Sequence, residues 1–189
     1  VINASTDASA SPYTTWKIPN AIGTNLKVNI SDVDNPTVYN FSSNAFAIKG
    51  SMLVVSPDGT ETLYKGQNQS IQWKPTGTYP GNVNISYSND SGSTWTQIGT
   101  ASAGADNLTQ TWYWDPVLDD ISVNGRIKVE TQVGSAAIDT NDSSNASFKL
   151  LGNVTITSPA GGVRYAGEPM LINWTASGTV NPVKIEYSL

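Results

Sequence analysis

The sequence predicts an all-β protein made of tandem sandwich units of about 100 residues each. Three observations carry this: short alternating apolar and polar runs between turn residues, no sustained 3.6-residue apolar period, and internal repetition.

The repetition fixes the organisation. LVVSP at 53–57 matches TITSP at 155–159, IQW at 71–73 matches INW at 172–174, and VNISYS at 83–88 matches VKIEYS at 183–188. The other half repeats as well. TTWKIP around Trp16 answers QTWYWDP around Trp112, LKVNI at 26–30 answers IKVET at 127–131, and SSNAFAIKG at 42–50 answers SSNASFKLLG at 143–152. Offsets drift from 96 to 102, as loop-length variation between homologous units would produce. One copy, 51–152, is complete. Residues 1–50 read as the C-terminal half of a unit, and 153–189 as the N-terminal half of a further one.

Inside the complete copy, seven runs alternate as half-buried strands do: 52–55, 70–73, 82–88, 94–98, 109–114, 126–131 and 147–151. SPDG, PTGTYPG, NDSGS, AGADN, VNG and NDSS separate them with turn chemistry. Alternation points Val83, Ile85, Tyr87, Ile71, Trp73, Ile127 and Val129 inward, with Trp73 at the centre of the core. Seven short strands in about 100 residues are the signature of an immunoglobulin-like or fibronectin-III-like sandwich, and the period is too long for a propeller blade.

Composition excludes several functions. The chain has no Cys and no His, which removes disulfides, thiolate metal sites and the commonest general base. A net charge of −5 without a basic run argues against a nucleic-acid partner. No apolar stretch approaches the ~18 residues of a membrane span, and Val1 opens no charged-then-apolar leader, so any signal peptide is expected to be already removed. Only 13% of residues are charged, while Ser, Thr and Asn supply 60 of 189. No paired carboxylates, Ser/His pairing or phosphate-cradling loop is present, so no catalytic residue and no cofactor is expected.

The segment SNDSGSTW at 88–95 fits S-x-D-x-G-x-T-W, with Ser88, Asp90, Gly92, Thr94 and Trp95 at the fixed positions. It resembles the Asp-box of sialidase propellers and of many unrelated secreted β proteins. Asp90 should accept backbone N–H groups across the turn, Gly92 should supply a positive φ, and Trp95 should fold back over the hairpin. Sialidases catalyse with three arginines and a Tyr nucleophile, whereas this chain has only Arg126 and Arg164. The box therefore reads as structural.

The wider pattern is I-x-SP-x-GG, then I-x-W, V-x-I-x-YS, the Asp-box, I-x-V and SS…F. It resembles the tandem Ig-like repeats of large bacterial and archaeal surface proteins, and its first half is similar to an Ig-like domain of glycosylated, Ser/Thr-rich cell-surface proteins. The resemblance implies secretion and a structural or adhesive role.

Asn-x-Ser/Thr occurs at Asn3, Asn29, Asn40, Asn68, Asn84, Asn89, Asn107, Asn141, Asn145, Asn153 and Asn173. Chance at this composition gives about 4 such sites, against the 11 present among 18 Asn. Asn84 alternates with Val83 and Ile85, Asn29 with Val28 and Ile30, and Asn173 with Ile172 and Trp174, while Asn153 precedes Val154. Each Asn should point outward as its apolar neighbours point inward, where a glycan leaves core packing untouched. N-linked glycans are the expected covalent modification, which places the chain outside the cytosol.

Asp32, Asp34 and Asn35 share one loop, and Asp139, Asn141 and Asp142 share the matching loop of the next unit. Such oxygens suit Ca²⁺, but without a fixed ligand spacing solvated turns explain them more simply, and Asp119-Asp120 reads likewise. The predicted role is a segment or subunit of an extracellular filament, stalk or surface layer, with copies of itself or neighbouring repeats as head-to-tail partners. Two half-units expose strand edges, so the chain is either a window of a longer array or a protomer whose halves complete one another. A carbohydrate-binding module is the alternative, with Tyr13, Tyr79 and Tyr113 as candidate stacking rings and Tyr79 expected as the most exposed. An accessory domain of a larger secreted enzyme is a third reading.

Overall fold

The computed structural model describes residues 2, 5–9, 16–132, 134–135 and 138–188. Among them lie fifteen strands and no helix, so the protein is all-β. The first four are β1 (Gly23–Leu26), β2 (Asn29–Ser31), β3 (Tyr39–Phe41) and β4 (Phe46–Ile48). The middle of the chain forms β5 (Ser51–Ser56), β6 (Thr62–Tyr64), β7 (Gln69–Thr76), β8 (Asn82–Ser88) and β9 (Thr96–Ser102). It continues through β10 (Gln110–Trp114), β11 (Ser122–Thr131), β12 (Asn141–Ser143) and β13 (Phe148–Leu151). β14 (Asn153–Ser158) and β15 (Asn173–Ser177) follow.

All seven strands expected in 51–152 form. β6 and β12 were not expected, because three residues are too few to show alternation. Their partners place them: β6 runs parallel to β13, and β12 lies antiparallel to the C-terminal half of β11. The nine strands make two sheets, one of three strands ordered β10-β7-β5 and one of six ordered β6-β13-β11-β8-β9 with β12 branching from β11. The sheets enclose one apolar cluster, with Met52, Val54, Ile71, Trp73 and Trp114 from the first facing Val83, Ile85, Tyr87, Ile127, Val129 and Phe148 from the second. Trp73 is completely buried, and its indole N–H donates to the Ala103 carbonyl at 3.1 Å, so the central ring leaves no polar atom unpaired.

The flanking strands copy the central registers. In the central unit Ser51, Met52, Val54 and Ser56 pair with Thr76, Pro75, Trp73 and Gln72, with a bulge between Val54 and Ser56. In the C-terminal segment Asn153, Val154, Ile156 and Ser158 pair with Ser177, Ala176, Trp174 and Asn173, with the bulge in the same place. Each equivalent lies 102 residues on for the first strand and 101 for the second. The N-terminal strands copy the other half. Gly23↔Ile48 and Leu26↔Phe46 reproduce Ser122↔Leu150 and Gly125↔Phe148, again with a shared register shift. Asn29↔Phe41 and Ile30↔Asn40 reproduce Lys128↔Ser143 and Val129↔Asp142.

These registers correct the sequence alignment of LKVNI with IKVET. The offset for that strand is 99 and not 101, so Ile30 is the counterpart of Val129 and Asn29 of Lys128. A slip of two residues leaves every side chain on the same face, which is why the inward and outward assignments survived it.

The outward-glycan expectation also needs correction in the flanking segments, 16–50 and 153–188. Val83 and Ile85 beside Asn84 are buried, but Ile30 beside Asn29 is 76% exposed, and Ile172 and Trp174 beside Asn173 are 41% and 39% exposed. Val154 beside Asn153 is exposed too. No second sheet covers these faces among the described residues, so alternation there separates two exposed sides.

Candidate functional site

The Asp90 hairpin forms as the residues dictate. Asp90 accepts from the Thr94 hydroxyl at 2.6 Å, from the Thr94 N–H at 2.8 Å and from the Ser88 hydroxyl at 2.7 Å. The Thr94 side chain, its backbone N–H and Ser88 together hold the carboxyl down to about 2. The Gly92 N–H donates back to Ser88 Oγ at 2.8 Å, and Gly92 has φ 95°. A Cβ there would sit 3.2 Å from the Trp95 ring and press on it, so the close approach of the ring and the positive φ both favour glycine at 92. Lys128 Nζ, from β11, lies 5.1 Å from the centre of the same ring, a cation–π contact. The Asp90 carboxylate and the Ser88 hydroxyl are spent inside the hairpin, while Asn89 and Ser91 tie it to the neighbouring loop through Asp120 and the Asn124 carbonyl, which is what a structural clasp requires.

Two contacts, one on each side of the central two-sheet core, are built from the same parts and are called junctions below. At the first, the Thr78 N–H donates to Asn20 Oδ1 at 2.8 Å; at the second, the Thr179 N–H donates to Asp119 Oδ1 at 2.9 Å. The preceding glycines, Gly77 and Gly178, have φ 94° and 93°. A Cβ on Gly77 would meet Ile22 Cδ1 at 2.6 Å, and one on Gly178 would meet Ile121 Cδ1 at 3.1 Å. Gly50 and Gly152 each pack their backbone against the carbonyl two residues before that Thr, on Thr76 and Ser177. The left-handed backbone and the tight approach both demand glycine, so the geometry of each junction is set by composition. Sequence reading missed these residues, although TGT at 76–78 and SGT at 177–179 lie at the repeat offset.

Asn3 lies outside the described residues. Of the other ten sequon asparagines, nine are exposed and Asn84 is half-buried, its amide oxygen accepting from Gln132. The amide nitrogens divide into two groups. Those of Asn68, Asn89, Asn107 and Asn145 donate to Asp115, Asp120, Asp106 and Asp58 at 2.9 to 3.2 Å. Among the described residues Asn29, Asn40, Asn141, Asn153 and Asn173 make no such bond to a carboxylate.

The acidic loops are tied into the backbone. Asp32 caps its own turn by accepting from the Asp34 and Asn35 N–H groups at 2.9 and 2.7 Å. Asp142 accepts from the Val54 N–H at 2.8 Å and so links the two sheets, and Asp139 accepts from the Thr131 hydroxyl. Asp120 receives Asn89 on its side chain and the Tyr87 hydroxyl on its carbonyl at 3.0 Å. Glu61 is pushed up by partial burial, but the N–H groups of Gly59 and Asp58 outweigh this and hold it below its ordinary value. Among the described residues no group of three or more acidic side chains converges as a metal site would, and no helix is long and apolar enough to cross a membrane.

The aromatic candidates divide. Tyr79, expected at the surface, is only 4% exposed, because its ring packs into the first junction with its hydroxyl beside Gly50. Burial pushes that hydroxyl above its ordinary range. Tyr113 is 60% exposed, and Tyr13 lies outside the described residues. No pair of exposed rings faces one another around Tyr113 among the described residues.

No protein-family model matches the chain, and no curated protein is significantly similar to it.

Proposed function

We propose that the chain is a structural segment of a heavily N-glycosylated extracellular filament, stalk or surface layer, made of Ig-like sandwich units laid head to tail. The observation that carries this is the repeated junction. Thr78 on Asn20 and Thr179 on Asp119 are the same bond at successive unit boundaries, each next to a glycine against an isoleucine. Identical junctions turn successive units through the same rotation, and a repeated rotation and translation generates a linear array. The strand order, with three strands facing a larger sheet and one parallel edge pair, supports the Ig-like reading.

The acceptor positions support the extracellular setting. Nine exposed sequon asparagines spread over all three segments would give the array a continuous sugar coat. Such a coat shields strand edges from lateral pairing, and it keeps a surface soluble that carries few charges. Negative-stain microscopy of native material tests the reading. Long thin filaments or rods are expected; monodisperse particles of the 20.1 kDa chain's size would contradict it.

A further inference from the structure

β9 ends one sheet of the central core and β10 ends the other, and Trp112 bridges the two edges. A Cβ on Gly99 of β9 would run into its ring, so the bridge needs glycine there. Beside the bridge lies a groove of about 340 Å³, walled by Gln97 and Ile98 of β9, Trp112 and Trp114 of β10, and Asp115 and Leu118 of the loop after it. Trp114 is buried, Ile98 and Trp112 are half-buried, and Leu118 is 46% exposed. Gln97 and Asp115 are exposed and add a carboxamide and a carboxylate to apolar walls. Asn68, a sequon asparagine, touches one wall: its Nδ2 donates to Asp115 Oδ2 at 3.2 Å. We infer that the N-linked sugar of Asn68 folds back into this groove and packs its apolar face on Trp112 and Leu118. This rests on the reading of the chain as N-glycosylated and gives one of its sugars a place on the protein.

Three features of the groove favour this occupant. The attachment atom already lies against a wall residue, so the sugar is held at high effective concentration and a weak, open site suffices to bind it. Second, a glycosylated asparagine keeps one hydrogen on Nδ2. The bond to Asp115 therefore survives attachment and fixes the direction in which the sugar leaves the chain. Third, a pyranose ring has an apolar C–H face and a polar edge. Such a guest matches a tryptophan ring flanked by a carboxamide and a carboxylate, the mix of broad apolar walls and few polar groups that binding clefts use. The walls hold one carboxylate and no cation, so the groove suits a neutral sugar over an anionic partner.

The strand register supplies an internal reference. Gln69, next to Asn68, pairs with Trp114, and Ser70 pairs with Tyr113. Tyr113 alternates with Trp112 and Trp114 along β10, so its ring stands on the opposite side of the sheet, 60% exposed and away from the groove. A sugar seated in the groove covers Trp112 and Leu118 and leaves Tyr113 open.

Hydroxyl-radical footprinting read by mass spectrometry tests this on the full chain made in a glycosylating host. The comparison is with Ser70→Ala, which deletes the acceptor sequence but keeps Asn68 and its bond to Asp115. Oxidation of Trp112 and Leu118 should be several-fold lower in the glycoform that carries the Asn68 sugar, whatever its share of the sample, and oxidation of Tyr113 should be equal in both. Equal oxidation of Trp112 and Leu118 in the two forms overturns the inference. A bare Asn68 beside occupied sequons elsewhere also overturns it and leaves the N-glycosylated reading standing, whereas a chain bare at every sequon overturns both. Protection that persists in Ser70→Ala but is lost in Ser91→Ala gives the groove to the Asn89 sugar. Protection in Ser70→Ala that fades on dilution gives it to a second copy of the chain. Either result overturns the assignment to Asn68.

Discussion

Val129 and Ile85 stand opposite one another on β11 and β8, and neither side chain reaches solvent. Their counterparts Ile30 and Ile185 are 76% and 56% exposed. The four positions are equivalent in the repeat offsets, so local sequence does not account for the difference. What differs is the cover: a second sheet lies over the central pair, and none lies over Ile30 or Ile185 among the described residues.

That contrast gives a stability prediction. Ile85→Ala removes buried methyl groups from a packed core and should cost about 2–5 kcal/mol. In dilute bare protein Ile185→Ala should change stability by less than about 0.5 kcal/mol, as surface changes do. Urea unfolding followed by Trp fluorescence separates the two. An equal cost for both variants under dilute conditions would mean that Ile185 is already covered within one chain.

The Asp90 clasp gives a pH prediction. Hydrogen bonds from Thr94 and Ser88 depress its pKa to about 2 in the folded protein, below the ~3.9 of an unfolded Asp. The carboxylate therefore contributes stability that is fully present above about pH 4 and is lost as pH falls through about 2. Acid titration of Trp95 fluorescence should show the hairpin loosening in that window. Asp90→Asn should lower stability at pH 7 and flatten the dependence between pH 2 and 4; an unchanged acid profile in that variant would assign the transition elsewhere.

The junctions respond separately from the core. Asn20→Ala removes the acceptor for the Thr78 N–H and should loosen the first junction by about 1 kcal/mol, the scale of a net hydrogen bond. Small-angle scattering should report a broader distribution of lengths, while the unfolding midpoint of the central unit stays put. Gly77→Val should act more strongly, since it combines a positive φ with a clash on Ile22. A junction variant that unfolds the central unit would show that the boundary is part of its core.

Glycan occupancy should follow the state of the amide nitrogen. Among the described residues Asn29, Asn40, Asn141, Asn153 and Asn173 have no carboxylate partner to give up. Asn68, Asn89, Asn107 and Asn145 each hold an amide N–H on an Asp, which orients the side chain and crowds the nitrogen that must take the sugar. Glycopeptide mapping of native protein should find higher occupancy in the first group, with Asn84 lowest because it is half-buried. Uniformly bare peptides would remove the glycan coat.

The central strands and core were legible because alternation and turn residues are local signals. Trp73, Ile85 and Val129 took the positions their spacing assigns. β6 and β12 were not legible, since their three residues become strands only through β13 and β11. Tyr79 misled for a similar reason: TYPGN looks like a surface loop, and its ring is buried by Gly50 and Ile22, which lie 29 and 57 residues earlier. The junction escaped notice because Asn20, Gly77 and Thr78 are each ordinary turn residues, and their meaning comes from meeting across 58 positions. The Asp90 turn was readable because the partners of its carboxylate, Ser88 and Thr94, fall within 88–95; the contacts of the hairpin with Asp120, Asn124 and Lys128 were not, since those residues lie about 30 positions on.

Amide hydrogen exchange on the native assembly tests most directly whether every sandwich in the array is complete. Residues 28–31 and 183–187 should exchange as slowly as their counterparts 127–130 and 83–87. Fast exchange in the terminal segments, beside slow exchange at 83–87 and 127–130, would contradict it.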